Sequence, residues 1–128
     1  MSLSHEDTNP LTETIIGAAI EVHRNLGPGL LESIYEDCLC WELRQCGIAF
    51  LRQPFLPVIY KGSRLAAWYR PDLVIDSKVI VEVKAVEKVI EVHSAQLLTY
   101  MKLTEIRVGL LFNFNAPKLV GGMKRLSL

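Results

Sequence analysis

Cysteine is scarce in this sequence and badly placed for a staple. Cys38, Cys40 and Cys46 are an odd number crowded into nine positions. They form neither a CxxC pair nor a zinc ligand set, and an odd count fits poorly with a secreted disulfide framework. Reduced thiols in a cytoplasmic protein are the expectation. Long hydrophobic runs are lacking too: the longest charge-free stretch, Val108 to Pro117, falls well short of the ~18 residues that a membrane span needs. The N-terminus carries Glu6 and Asp7 and no basic lead-in to an apolar core, so it does not read as a signal peptide. Neither sign of charge prevails, with 14 Lys and Arg against 14 Asp and Glu, which argues against coating nucleic acid by bulk charge. There is no glycine-rich phosphate loop, no GxSxG elbow and no HExxH. Nucleotide hydrolysis, serine hydrolysis and zinc proteolysis all lack their parts.

What is present suffices for one core. The chain has 128 residues, half of them hydrophobic and 22% charged, so it fits one domain and needs no disulfide or metal to fold. Residues 1–10 are expected as an N-terminal tail, its Met1-Ser2-Leu3 start resembling an expression remnant, and 11–128 as a single domain. Charge is unevenly spread. Residues 1–50 hold two basic and eight acidic side chains, whereas 51–128 hold twelve basic and six acidic. Such asymmetry suits a localised polyanion site in the second part, or a charge-complementary partner.

Helical spacing of Ile15, Ile16, Ala19, Ile20 and His23 predicts a helix over 11–25, broken by Gly27-Pro28-Gly29. A second helix is predicted over 30–45, ended by Gly47. Strand candidates follow at 50–53, 55–60 and 65–69, with Lys61-Gly62-Ser63 as a turn; Pro54 and Pro57 confine the earlier part to an edge or a bulge. Residues 73–75 and 79–84 form a tight hairpin around Asp76-Ser77-Lys78. A third helix is expected over 89–102, a buried strand over 106–112, and a last edge strand between Lys118 and Leu126. The elements imply an α/β fold, a mixed sheet flanked by helices with the 72–84 hairpin at its centre.

Pro71-Asp72, followed ten positions later by Glu82-Val83-Lys84, is the most informative stretch. Along 79–84, Val79, Val81 and Val83 point to one face, and Ile80, Glu82 and Lys84 to the other. If Asp72 lies across the hairpin from Glu82, two carboxylates and one ammonium group converge. Two carboxylates clamp Mg²⁺, which prefers oxygen ligands and keeps several waters, and a neighbouring lysine can orient a water for attack on a phosphodiester. Glu82 and Lys84 equally suit an ordinary solvated pair on the wet face of an antiparallel sheet.

Beyond the hairpin, the third helix carries Gln96 and Tyr100 at i, i+4 on one face. The arrangement resembles the PD-(D/E)XK nuclease superfamily: Pro71-Asp72 … Glu82-Val83-Lys84 matches its motif, and Gln96-Leu97-Leu98-Thr99-Tyr100 the QxxxY helix of its RecB-like branch. Gly29-Leu30-Leu31-Glu32-Ser33-Ile34-Tyr35 resembles the signature of the small GxxExxY proteins within it, a likeness that also takes in His93, Gly109, Asn113 and the closing Gly122-Met123-Lys124-Arg125. The resemblance implies a restriction-endonuclease-like fold. It further implies Mg²⁺ or Mn²⁺ held by Asp72, Glu82 and the Val83 carbonyl, with Lys84 serving the water. Gln96 and Tyr100 would support site and substrate, and Glu32 would add a carboxylate at the metal site, as a further ligand.

Other readings stand beside these. A glutamate in a first helical turn is favoured by the helix dipole alone, Tyr35 fits the apolar face of its helix, and His93 suits local hydrogen bonding as well as a phosphate contact. Lys88, Lys102, Lys124 and Arg125 fit a phosphate track or ordinary surface charge. The expected function is a metal-dependent nuclease acting on DNA or RNA. The alternatives are a non-catalytic nuclease-fold module binding nucleic acid or a larger protein, and a homodimerisation protein. For Asp72 and Glu82 to share a face, the hairpin needs an odd loop, such as 76–78, or a bulge, with Ser77 or Lys78 left-handed. Two carboxylates so close should also raise at least one pKa unless Lys84 compensates.

Overall fold

The computed structural model describes residues 8–128; most of the expected tail, residues 1–7, lies outside the described residues. Helix α1 spans Asn9–Leu26, so Asn9 and Pro10 belong to the helix rather than to a tail, and the proline occupies the first turn, where its missing N–H costs nothing. Its Ile15, Ala18, Ala19 and Val22 recur at helical spacing and are buried. Gly27 and Gly29 then take positive φ, 66° and 102°, a backbone that glycine adopts without penalty. Helix α2, Glu32–Gln45, follows at once.

Five strands form the main sheet in the order β1 (Phe50–Arg52), β4 (Leu73–Ile75), β5 (Val79–Lys84), β6 (Val108–Asn113) and β7 (Met123–Ser127). β5 and β6 pair in parallel and the other neighbours antiparallel. The parallel pair is joined by helix α3, Glu91–Thr104, the crossover that parallel strands require. The hairpin thus lies at the centre, as expected. β1 is an edge strand, consistent with the proline that follows it.

Strands β2 (Leu56–Tyr60) and β3 (Ser63–Tyr69) pair only with each other, forming a separate two-stranded ribbon. The turn between them is Lys61-Gly62, one residue shorter than expected, because Tyr60 pairs with Ser63. Both turn residues have positive φ, the backbone of the commonest hairpin turns. A register shift lies between Pro57 and Ile59, where a proline can be tolerated.

Two cores sandwich the sheet. On one face Val79, Val81, Val83, Leu73 and Ile75 pack with Ile15, Ala19, Tyr35, Leu39 and Leu43 of α1 and α2. On the other, Ile80 and Leu111 pack with Leu97 and Met101 of α3. Gly109 permits that second contact: a Cβ there would lie 2.6 Å from Met101 Sδ and 2.9 Å from Leu97 Cδ1. Helix α3 starts two residues later than expected, because the His93 ring accepts the Ile90 N–H at 3.1 Å and closes its first turn. The C-terminal segment begins as a 3₁₀ turn, Leu119–Gly122, before β7.

Candidate metal centre

The β4–β5 register is Ile75 with Val79, Val74 with Ile80 and Leu73 with Val81. Continued by one residue, it sets Asp72 opposite Glu82. The connecting loop is therefore the three-residue Asp76-Ser77-Lys78. Asp76 and Ser77 are left-handed at φ 51° and 55°; Ser77 was one expected position, whereas Lys78 is not left-handed. Neither residue is glycine, so the turn carries strain.

Asp72 and Glu82 are tied together through the main chain. Glu82 Oε2 accepts the Asp72 N–H at 2.7 Å, and Asp72 Oδ2 accepts the Val83 N–H at 2.8 Å. The second oxygen of each carboxylate accepts no hydrogen bond from the described residues. Ser94 Oγ is the one fully buried side-chain N or O atom without a partner among them, so those two oxygens keep contact with solvent. Burial, first of all, pushes both carboxyl groups above the ordinary carboxylate range, and the Asp72 charge pushes Glu82 up further. Lys84 opposes the shift at both groups but forms no contact ion pair with either and does not cancel it.

The two uncommitted carboxylate oxygens suit Mg²⁺, which binds through one or two carboxylates and fills its shell with water. Among the described residues, no three His, Cys, Asp or Glu side chains are gathered to hold a metal ion.

Glu32 stands in the first turn of α2, exposed, making no hydrogen bond or ion pair with the described residues. Its charge is close enough to help raise Asp72, which places it on the carboxylates' side of the molecule. Tyr35 explains how it is held there. That side chain is fully buried and stacks on Phe114 with centroids 4.7 Å apart. Its hydroxyl donates to the Gly27 carbonyl at 2.6 Å and accepts the Leu30 N–H at 3.0 Å. The Gly29, Glu32 and Tyr35 spacing is thus a clip: glycine makes the turn, tyrosine ties it to the helix, and glutamate is presented. Tyr35 is thus buried with both hydroxyl functions engaged within the protein.

On the opposite flank, Gln96 Nε2 donates to the Tyr100 hydroxyl at 3.0 Å. Tyr100 stacks on Tyr69, the last residue of β3, at 5.5 Å. Burial raises the Tyr100 pKa, and the charges of Glu82 and Asp72 raise it further, so the Gln96–Tyr100 pair borders the carboxylates. His93 is nearby in sequence, but its Nδ1 is occupied by the helix cap.

Sequence reasoning missed Glu36, Arg52 and Gln53, and gave Asn113 a place in the resemblance but no role. Glu36 is buried, and its Oε2 accepts from Arg52 Nε at 2.7 Å and Gln53 Nε2 at 2.8 Å. Burial comes first in raising the Asp72 pKa, and the Glu36 charge adds to it. Arg52 also pairs with Asp37 at 2.6 Å, and Gln53 donates its N–H to the Asp72 carbonyl at 2.8 Å. The group therefore links α2 to the strand start that carries Asp72. One signal was available: Glu36 follows Glu32 by one turn on a face otherwise apolar. Asn113, at the end of β6, accepts the Val86 N–H at 3.0 Å and donates to the Val86 carbonyl at 2.9 Å, pinning the chain just beyond Lys84.

The family described as the PD-(D/E)XK nuclease superfamily has a model that matches residues 9–126. No curated protein and no solved structure matches the chain. Among the described residues, no helix is long and apolar enough to cross a membrane.

Proposed function

The chain belongs to the PD-(D/E)XK nuclease superfamily, and from that membership and the site geometry we propose that it hydrolyses phosphodiester bonds in DNA or RNA with Mg²⁺ or Mn²⁺. One observation carries the reading. Asp72 and Glu82 are neighbours on one face, locked by reciprocal main-chain hydrogen bonds, and each has one oxygen uncommitted. Buried carboxylates left so short of positive charge are costly unless something neutralises them. The Gly29-Glu32-Tyr35 clip supports a place in the GxxExxY branch. The free thiols of Cys38, Cys40 and Cys46 support a reducing cytoplasmic setting, and residues 11–128 would act as one domain.

Asp72, Glu82 and the Val83 carbonyl would hold the ion, which when bound would polarise the phosphate and stabilise its developing charge. The half-buried Lys84 orients the attacking water and counters negative charge on the phosphate. Glu32, exposed and unpaired by hydrogen bonds, is an acceptor for the proton that water loses as its oxygen bonds to phosphorus. The ester oxygen departs and is protonated by solvent. Gln96 and Tyr100 hold the substrate's near side.

Incubating labelled DNA and RNA with the protein in Mg²⁺ or Mn²⁺, against Glu82→Gln and Lys84→Ala, tests this. Cleavage by the wild type and its loss in both variants is expected. Absence of wild-type cleavage with either ion, on every substrate form, would overturn it.

A further inference from the structure

The β2–β3 ribbon has no role in the fold described above. It is bonded to no strand of the main sheet, and every residue of β3 before Tyr69 is exposed. It nevertheless carries Phe55, Ile59 and Trp68 on one face, each more than half open to solvent, with Tyr60 and Leu65 exposed on the other. A soluble chain rarely leaves such a patch without a partner.

Charge narrows the partner. No acidic residue occurs between Glu42 and Asp72, so the ribbon's Lys61, Arg64 and Arg70 are uncompensated by carboxylates of the ribbon itself. Each cation lies over a ring: Lys61 over Tyr60 at 5.5 Å, Arg64 over Trp68 at 5.6 Å and Arg70 over Phe55 at 3.8 Å. Pro57 pairs with Trp68, and Ile59 with Arg64; opposed residues share a face, so Trp68 and Arg64 stand among apolar neighbours on one side. Phe55 meets Trp68 edge to face at 6.0 Å on the same side. Interleaved cations and open aromatic rings are how single strands are gripped, by phosphate attraction and base stacking. Duplex bases are already stacked on one another and offer the rings nothing.

Position supplies the third observation. Tyr69 at the end of β3 stacks on Tyr100 beside the carboxylates, and Trp68 precedes Asp72 by four residues, at most about 14 Å of extended chain. A strand lying on the ribbon therefore leads to the metal centre. A second copy of the chain fits less well: a two-fold contact would set this patch against itself, arginine facing arginine.

We propose that the β2–β3 ribbon is a binding platform for single-stranded nucleic acid, with Trp68 stacking on bases and Arg64 holding phosphates, and that it feeds the strand to the Asp72–Glu82 site. The ligand class rests on the nuclease reading, so binding is measured apart from cleavage.

The test is fluorescence anisotropy in EDTA, using a labelled single-stranded oligonucleotide of about twelve nucleotides, within the range one small binding surface spans, and a hairpin duplex of equal charge. The wild type should bind the single strand about tenfold more tightly than the duplex, and Trp68→Ala should weaken it by about fivefold or more, the usual loss of one stacking ring. Arg64→Ala should lower the salt dependence by about one phosphate contact. Both sites are exposed, and melting curves matching the wild type would show that the fold is kept. Equal or tighter duplex binding would overturn the proposal, as would single-strand affinity unmoved by Trp68→Ala. So would a wild-type dimer that Trp68→Ala splits without changing that affinity. Binding through the ribbon without any cleavage in Mg²⁺ would leave this platform standing and remove the nuclease activity. Duplex cleavage unaffected by Trp68→Ala would do the reverse.

Discussion

Asp72 and Glu82 each use one carboxylate oxygen to accept a main-chain N–H at the other's strand: Glu82 takes that of Asp72 itself, and Asp72 that of Val83. This exchange fixes both side chains before any ion arrives. It also keeps two like charges together in a largely buried place.

Burial, and at Glu82 the neighbouring Asp72 charge, set a pH dependence. Asp72 is raised to about 6 and Glu82 to about 8, so the folded chain holds these protons to higher pH than the unfolded chain does. Their contribution to stability is full below the ordinary carboxylate range and is lost as pH rises through those values. In EDTA, Glu82→Gln should therefore be more stable than the wild type at about pH 8, by on the order of 4 kcal/mol. Saturating Mg²⁺ should stabilise the wild type and leave the variant unmoved. Urea unfolding across pH, with and without the ion, checks both; a wild-type advantage at high pH in EDTA would contradict the assignment.

Tyr35→Phe keeps the ring on Phe114 but removes the hydroxyl that joins Gly27 to Leu30. A loss of about 1–2 kcal/mol is expected from a buried acceptor and donor left without their partner. If Glu32 works only when the clip holds it, cleavage should fall further than stability explains. Thermal melting beside initial rates on one substrate separates the two effects.

Arg52→Met should cost about 2–4 kcal/mol, because Glu36 would keep only Gln53 as a donor in a buried place. The double variant with Glu36→Gln should recover most of that loss. Chemical denaturation of both single variants and the double variant measures it, and a non-additive pair is the expected signature.

At Gly122, a Cβ would stand 2.5 Å from the Asn113 carbonyl oxygen and 2.8 Å from the Ala116 Cβ. Gly122→Ala should therefore destabilise by about 1–3 kcal/mol, since the obstacle is main chain. Gly109→Ala should cost less, as the Met101 and Leu97 side-chain ends can shift. Comparing the two melting temperatures tests the ranking.

The central hairpin was legible because register, loop parity and a shared face are one constraint in a strand pair. Asp72 and Glu82 could be placed from their spacing in sequence. The helices were legible from Ile15, Ala19, Leu39 and their neighbours, whose apolar spacing the core then used. Glu36 and Arg52 were not. Their partnership joins residues far apart in sequence, and a buried acid on an apolar helix face carries no local mark of what will neutralise it. The ribbon's independence was hidden for a similar reason: an isolated strand pattern does not say which edge, if any, it will join. The late start of α3 turned on His93 capping Ile90, a choice between hydrogen bonds of similar strength.

β1 and β4 are antiparallel neighbours, Arg52 beside Leu73, and the Gln53 N–H reaches the Asp72 carbonyl. The chain between them leaves and returns to almost one point. Topologically the whole ribbon is the turn of a β1–β4 hairpin. Closing a longer or shorter excursion between fixed ends changes the entropic cost only slowly with length, and no ladder of the main sheet crosses it. The segment is therefore free to be lengthened, trimmed or exchanged over generations while the carboxylate pair stays where it is, so that what the protein grasps can diverge faster than what it does.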